Sequence, residues 1–266
     1  YHSSDYTDNN DVNYAVDRAA AVVGMMRRPW RMENITVLDA DISSKGHGAG
    51  IVAWIAPGIK QNPDYHFSEC QVLTKTKETV IRTKGGSCGG IIGVMALNVD
   101  ETSRFQLVLN QCKVLGKDAI SRVKIENEGN TAGIPGNTNN VNQERNARGR
   151  SGALIGHVGK RYDGNGNVRI GMDVAITGSG SGADVQYVTV DGADSTGGII
   201  GEYYGCRKDE NSPNVAIENV TVSDCILESK NMNATDYGGF GIGGIIGKLQ
   251  REAKCDIAGT KVLNTD

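Results

Sequence analysis

The amino-acid sequence predicts an all-β protein, a right-handed parallel β-helix (β-solenoid) built from imperfect repeats. Three observations lead to this prediction. Glycine is abundant, at 36 of 266 residues, whereas proline occurs 5 times and no Gly-X-Y period exists, which excludes collagen. A glycine-rich phrase recurs along the chain, and a second phrase that alternates apolar and polar residues lies between its copies. Aromatic residues make up 5%, so the predicted core is aliphatic.

The first phrase is Gly-Gly-aliphatic-aliphatic-Gly. Its copies, the first two of them weaker, occupy residues 20–24, 49–53, 89–93, 152–156, 197–201 and 243–247. A regular phrase at irregular spacing is typical of a fixed scaffold strand joined by loops of variable length. The paired glycines are expected to let the chain turn sharply, through positive φ or through close approach of two backbones. Because the phrase precedes strand residues and recurs, it does not indicate a phosphate-binding loop.

The second phrase has apolar residues at alternate positions, which places one face of a strand inward. Residues 33–40 match residues 218–225 almost letter for letter, and weaker copies occupy 65–70, 107–112, 187–193 and 257–262. In a solenoid, equivalent residues of successive coils stack about 4.8 Å apart. The alignment therefore predicts one buried column at a narrow inward corner, made of small residues: Ala40, Cys70, Cys112, Ala193, Cys225 and Thr260.

The N-terminal part is expected to differ from the repeats. A helical stripe of apolar residues between Asp11 and Arg28 predicts a short helix that caps the open end of the solenoid. The predicted organisation is an N-terminal segment with this possible capping helix at 1–28 and a single solenoid domain at 29–266, with a long loop at about 126–150. In the alternative, Val22-Val23-Gly24 begins the first coil. A β-propeller fits the spacings but lacks the usual aromatic signatures, and a βαβ fold lacks its long amphipathic crossovers.

The repeats resemble the Glug motif, a glycine-rich G-G-aliphatic-aliphatic-G unit of bacterial surface and adhesin-like proteins. Residues 89–93, 197–201 and 243–247 carry the resemblance best, and it extends from about Ala49 to the end. The resemblance implies an extracellular or cell-surface, repetitive, non-catalytic module. The 63-residue interval between Gly93 and Gly156 and the scattered cysteines depart from a regular array.

The six cysteines show no C-x-x-C spacing, which argues against zinc and redox motifs. Cysteines in a buried column behave as small hydrophobes, so stacked free thiols are expected. A disulfide between Cys70 and Cys112 is the alternative, if adjacent coils place their Cβ atoms suitably.

Two groups of residues are candidates for binding. Arg145, Arg148 and Arg150 end an Asn/Gly-rich excursion and have the chemistry to grip a carboxylate or phosphate of a glycan. Aromatic rings suited to stacking on sugars belong to Trp30, Trp54, Tyr203 and Tyr204. A solvated loop and half-buried core aromatics are the plainer interpretations of the same residues.

A calcium loop is the one cofactor site that the sequence suggests. Asp163, Asn165 and Asn167 carry oxygens at alternate positions, like the start of such a loop. Val168 and Val174 stand where the loop has Gly and Glu, which favours a glycine-asparagine turn instead.

These patterns favour a non-catalytic, adhesin-like module that binds a glycan or protein through an exposed solenoid face or loop. A carbohydrate-active β-helix enzyme, a polysaccharide lyase or hydrolase, is one alternative, although Asp39, Glu69 and Asp224 recur as a surface ladder. A structural spacer or a subunit that self-associates through solenoid ends is another. A net charge of −3 argues against nucleic acid, and no apolar run approaches about 18 residues, so membrane insertion is not expected.

Overall fold

A computed structural model gives the architecture of the chain. It describes residues 18–28, 30–55, 64–84, 86–96, 105–128, 149–159, 172–204, 214–229, 241–250 and 254–266. These residues form 29 β-strands, numbered in chain order, and the strands assemble into five parallel sheets, named A to E here.

Each sheet takes every fifth strand of the chain. Sheet A contains β1 (Arg18–Ala20), β6 (His47–Ala49), β11 (Ser87–Gly89), β16 (Arg150–Gly152), β21 (Ser195–Gly197) and β26 (Gly241–Gly243). Sheet B contains β2 (Val23–Met26), β7 (Val52–Ile55), β12 (Ile92–Ala96), β17 (Ile155–Gly159), β22 (Ile200–Tyr204) and β27 (Ile246–Gln250). Sheet C contains β3 (Arg31–Glu33), β8 (Asp64–Ser68), β13 (Phe105–Asn110), β18 (Met172–Thr177), β23 (Asn214–Glu218) and β28 (Lys254–Ala258). Sheet D contains β4 (Thr36–Leu38), β9 (Gln71–Leu73), β14 (Lys113–Leu115), β19 (Val185–Gln186), β24 (Thr221–Ser223) and β29 (Lys261–Leu263). Sheet E contains β5 (Asp41–Ser44), β10 (Thr79–Thr83), β15 (Val123–Asn127), β20 (Val188–Gly192) and β25 (Ile226–Ser229).

One coil therefore runs A–B–C–D–E, and the predicted parallel β-solenoid is confirmed. The glycine phrase forms the corner between sheets A and B in all six coils. Its copies stack in the predicted register, as Ala20 pairs with Ala49 and Ile92 pairs with both Val52 and Ile155. The spacing between copies varies because the connections between strands vary in length. The right hand of the coil stays a prediction.

The last glycine of the phrase is needed because sheets A and B approach closely. A Cβ on Gly201 would lie 2.5 Å from the carbonyl oxygens of both Gly156 and Ser151, one in sheet B and one in sheet A. A Cβ on Gly156 would meet the carbonyl oxygens of Cys88 and Gly93 at 2.5 Å. Gly201 and Gly156 are not among the glycines with positive φ, so close backbone approach is what requires glycine here.

The core lies inside the coil and consists of aliphatic columns. One column in sheet C runs through Met32, Phe67, Leu109, Ile176 and Ile217, all buried. A column of valines in sheet D runs parallel to it, through Val37, Val72, Val114, Val185 and Val222. Like residues thus sit on like residues, as the period-two pattern predicts.

The C–D and D–E corners look alike, and this corrects the predicted column of small residues. Asn34 and Asp39 both have positive φ (55° and 51°), and Asn219 and Asp224 repeat the pair. Each is followed by an inward residue. By register, Cys70 and Cys112 share the C–D corner with Thr260, whereas Cys225 and Ala40 share the D–E corner, and Ala193 follows sheet E. The prediction of a single column of small residues is therefore wrong. The buried Val220 at the C–D corner and Val188 at the D–E corner also show that these corners accept larger residues.

The prediction of an N-terminal helix is also wrong for the part of it that the structure describes, residues 18–28. Arg18–Ala20 and Val23–Met26 are strands β1 and β2, which pair with β6 and β7 of the next coil. The alternative, in which Val22-Val23-Gly24 belongs to the first coil, is the observed one. Residues 11–17, which complete the predicted helix, and residues 129–148 of the predicted long loop lie outside the described part of the chain.

Insertions at corners are accommodated by side chains that replace backbone acceptors. At the C–D corner the amides of Gln71 and Lys113 donate to the carbonyls of Ile35 and Cys70 in the preceding coil (2.7 and 2.9 Å). In coil 4, residues 178–184 make a longer path, and the Thr221 amide donates to Asp184 Oδ2 instead (2.9 Å). Asp184 Oδ1 also accepts from the Ser179 amide (2.9 Å), and Asp184 is fully buried. One carboxylate therefore keeps the register across an enlarged corner.

Candidate functional site: a polar seam between sheets A and B

Two rows of side chains meet between sheets A and B, on the side of each sheet away from the core. We call them the polar seam. The sheet A row is Arg18, His47, Ser87, Arg150, Ser195 and Gly241, and the sheet B row is Met25, Trp54, Val94, His157, Glu202 and Lys248. The second residue of a sheet A strand, such as Cys88, belongs to the core, as do the first and fourth residues of a sheet B strand, such as Ile92 and Met95. The first residue of each sheet A strand and the third residue of each sheet B strand are left to face away from the core.

The centre of the seam holds a buried ionic cluster. Arg150 Nε donates to Glu202 Oε2, and Arg150 Nη1 lies 3.5 Å from His157 Nδ1. Arg150, His157 and Glu202 are 8%, 8% and 1% exposed. Burial, and then the charges of Arg150 and His47, hold the pKa of His157 well below its ordinary value. His157 is therefore neutral at pH 7, and the charge of Arg150 is balanced by Glu202.

The other end of the seam, in coils 1 and 2, contains Arg18, His47 and Trp54, all half-buried. The guanidinium carbon of Arg18 lies 3.8 Å from the centre of the Trp54 ring, which is a cation–π contact. The His47 and Trp54 ring centres are 5.7 Å apart. Burial, and then Arg27, lower the pKa of Arg18 to about 10, so Arg18 is still a cation at neutral pH.

His47 is neutral, and its tautomer follows from its hydrogen bond. The Ser87 amide donates to His47 Nδ1 (3.0 Å), so the ring proton is on Nε2. Burial, then Arg18 and Arg150, lower the pKa of His47 to about 3. The ring therefore acts as a neutral donor through Nε2–H, and it is unsuited to acid–base catalysis near pH 7.

The outer face of sheet C carries rows of residues that pair in register from coil to coil. A shallow strip of small apolar residues runs along it through Val108, Ala175 and Ala216, which pair in register. A polar row lies two residues further along each strand, formed by Ser68, Asn110, Thr177 and Glu218. Asn110 Nδ2 donates to Ser68 Oγ at 3.3 Å, so part of this row is already hydrogen-bonded between coils.

Two of the recurring acids at the corners, Asp39 and Asp224, have structural partners. Asp39 accepts hydrogen bonds from the amides of Lys75 (2.7 Å) and Thr76 (3.1 Å) in the next coil. These bonds, led by the Thr76 hydroxyl, lower the pKa of Asp39 to about 2. Asp224 accepts from Gln186 Nε2 (3.0 Å) and Asn264 Nδ2 (3.3 Å). These carboxylates bind successive coils together.

The structure separates the residues that the sequence offered as binding candidates. Trp30 is 58% exposed at the corner between sheets B and C, whereas Trp54 lies in the seam under Arg18. Tyr203 is fully buried, which corrects its assignment as a sugar-stacking ring. Tyr204 ends β22, and its side chain lies outside the described residues, as do Arg145, Arg148, Asp163, Asn165 and Asn167.

Arg150 requires a correction as well. It was expected at the end of an exposed loop, gripping the acid of a ligand. It lies instead in β16 and binds a carboxylate of its own chain, Glu202. The polar seam could not be predicted from the sequence, because its members are single residues from separate coils and share no local motif.

The expected buried free thiols are confirmed for Cys70, Cys112 and Cys225. Cys70 and Cys112 occupy neighbouring coils of one column, and the adjacent Cys70 thiol, followed by burial, raises the pKa of Cys112. Burial raises the pKa of Cys225 to about 11. These thiols pack as small apolar groups.

No three His, Cys, Asp or Glu side chains among the described residues are grouped to hold a metal ion. The described residues also include no helix that is long and apolar enough to cross a membrane. Comparisons of the chain with family models, curated proteins and solved structures find no match. The Glug resemblance therefore stays a prediction.

Proposed function

We propose that the chain is a non-catalytic, extracellular or cell-surface binding module, adhesin-like in its role, that holds an extended glycan on the outer face of sheet C. The strip of Val108, Ala175 and Ala216 carries this proposal. Its side chains are short, so a ligand can lie flat across three coils, between His66 and Asp256, which continue the row at either end. Sugar rings have apolar faces and hydroxyl edges, which match an apolar strip flanked by hydrogen-bonding groups.

The chemistry beside the strip supports a polar ligand. Thr177 and Glu218 are exposed on one side, and Gln106 is exposed on the other. These groups repeat at the spacing of the coils, about 4.8 Å, so they present a one-dimensional array to a polymer. Asp39 and Asp224 at the corners are already engaged in bonds between coils, so a ligand would be held by the face and not by these acids.

A carbohydrate-active enzyme has weaker support from the described residues. Arg150, His157 and Glu202 have side chains of the right types for acid–base chemistry, but their burial keeps a polysaccharide out of reach.

A glycan array followed by titration of the best glycan tests the proposal. Ala175→Arg places a long side chain across the strip and is expected to weaken binding at least tenfold. Thr189→Arg is the matched control, because Thr189 is equally half-buried in the same coil but lies on sheet E. An array without a binding glycan, or equal affinities for the two variants, contradicts the proposal.

A second candidate function, self-association through the solenoid end, rests on the sixth coil. Leu249, Ile257 and Val262 continue core columns yet are 45%, 46% and 41% exposed, and their strands β27, β28 and β29 are edge strands. Such edges are templates for pairing with further strands. Ile257→Lys is expected to abolish an oligomer seen by sedimentation, whereas Leu38→Lys, on the outer side of sheet D, preserves it. A monomer at all concentrations rejects this second function.

A further inference from the structure

The coil 1–2 end of the seam has hydrogen-bond donors that lack acceptors. Arg18 Nε and Trp54 Nε1 are shielded from water, and neither has a hydrogen-bond partner in the described structure. Ser87 Oγ, one coil further along the sheet A row, is unpartnered and shielded in the same way. A buried donor without an acceptor is costly, and such groups mark places where an ion or ligand is missing.

His47 adds a donor to the same place. Because its Nδ1 accepts from the Ser87 amide, its Nε2–H is free to donate. The His47 ring lies against Trp54, and Trp54 lies against Arg18. A guanidinium, an indole N–H and a neutral imidazole N–H therefore belong to one contiguous group.

The charge of this group is uncompensated within the described residues. Arg18 has no carboxylate partner there, and its Nη1 donates only to the thioether of Met25 (3.5 Å). Arg27 and Arg150 add positive potential, since Arg27 acts on Arg18 and Arg150 acts on His47. The one buried carboxylate of the seam, Glu202, is bound to Arg150.

We propose that Arg18, His47 and Trp54 form a site for an oxoanion, a carboxylate or sulfate group. The planar guanidinium matches two oxygens of such a group, and the indole and imidazole N–H groups serve its other lone pairs. Resting on the proposed function, we assign the oxoanion to an acidic saccharide. This site lies between sheets A and B, apart from the sheet C strip, and it takes an acidic rather than a neutral saccharide.

Trp54 fluorescence provides the assay for the full chain. The chain has two tryptophans, so Trp30→Phe leaves Trp54 as the only one. Sulfate and acetate, titrated at constant ionic strength against chloride, are expected to change Trp54 emission saturably. Arg18→Gln is expected to weaken the binding of both sulfate and acetate at least tenfold. Arg31→Gln is the matched control, because Arg31 is an exposed arginine of the same coil, and it is expected to bind as the parent does. If Arg18→Gln does not fold, Arg18→Lys, which keeps the charge but loses the planar fork, takes its place with a smaller loss expected.

A separate competition experiment tests whether the oxoanion belongs to a saccharide. A uronic-acid oligosaccharide is expected to bind through Arg18 and to compete with sulfate, whereas a neutral oligosaccharide of equal length does not compete. Saturable binding of the ions without competition by the acidic oligosaccharide keeps the oxoanion site but overturns its saccharide ligand. Linear, non-saturable responses to both ions, or equal responses of the Arg18 and Arg31 variants, overturn the site itself. Neither result depends on Ala175, so the sheet C proposal fails or survives separately.

Discussion

Gly201→Ala is the substitution that tests the architecture most directly. The new Cβ would lie 2.5 Å from two carbonyl oxygens, those of Gly156 and Ser151, where ordinary van der Waals contacts are 3.4–4 Å. Both oxygens are backbone atoms of the preceding coil, so no side-chain rotation relieves the contact. The backbone of sheet A or sheet B must move by about 1 Å, and overpacking of this kind costs about 3 kcal/mol.

This cost corresponds to a fall in Tm of about 6–12 °C for a domain of this size. Thermal and urea unfolding, followed by circular dichroism, measure it. Gly180→Ala is the control, since Gly180 has φ of +68° but nothing within 4 Å of its Cβ position. The control is expected to lose only about 1 kcal/mol, from left-handed backbone strain. If Gly201→Ala is as stable as the wild type, or less perturbed than Gly180→Ala, the spacing between sheets A and B does not depend on glycine.

Three further predictions concern buried polar groups. Asp184→Ala leaves the part-buried amides of Ser179 and Thr221 without this acceptor, so urea unfolding is expected to show a loss of about 2 kcal/mol; an unchanged midpoint refutes the register role. Arg150→Met removes the ion pair that Arg150 makes with the buried Glu202 carboxylate and is expected to cost about 3 kcal/mol, whereas the double change with Glu202→Leu costs clearly less; additive losses contradict the ion pair. The lowered pKa values of His47 and His157 mean that the unfolded chain binds protons first, so stability is expected to fall as pH drops below about 6.5 and on toward 3. The slope reaches about 1.4 kcal/mol per pH unit for each histidine, and His47→Gln should reduce it; a flat profile from pH 6.5 to 4.5 refutes this.

The repeat was predictable from the sequence because its physical cause is local. Two sheets that nearly touch need residues without side chains, and the same phrase must therefore return at every A–B corner. The alternation of Val220 and Val222 was informative for a similar reason, since inward positions of a strand recur with period two.

The N-terminal helix was predicted wrongly because a corner shifts the phase of this alternation. Ala19 packs inward from β1, and Val23 and Met26 pack inward from β2. Ala19 and Val23 are four residues apart across the two-residue corner, and Val23 and Met26 are three residues apart within β2, where the alternation is interrupted. Both spacings also occur on a helical face. The apolar pattern alone does not distinguish the two structures.

The misplaced cysteine column has a different cause. Two successive corners have the same local form, a strand, a residue with positive φ and an inward residue, so Cys225 aligned with Cys70 although it lies one corner later. The seam was missed because contacts such as that between Arg18 and Trp54 join residues 36 positions apart in different coils. No periodicity of a single chain segment reports such contacts.

Asp184 bears on how such a chain can change over evolutionary time. A solenoid transmits its geometry from coil to coil, so an insertion at a corner ought to displace every coil beyond it. A carboxylate that supplies the missing acceptor confines the disturbance to one loop, and the following coil docks as though nothing had been inserted. A single substitution to an acidic residue can therefore compensate for a longer loop at a corner. The loops on the surface can then vary in length while the stacked core of the solenoid keeps its register.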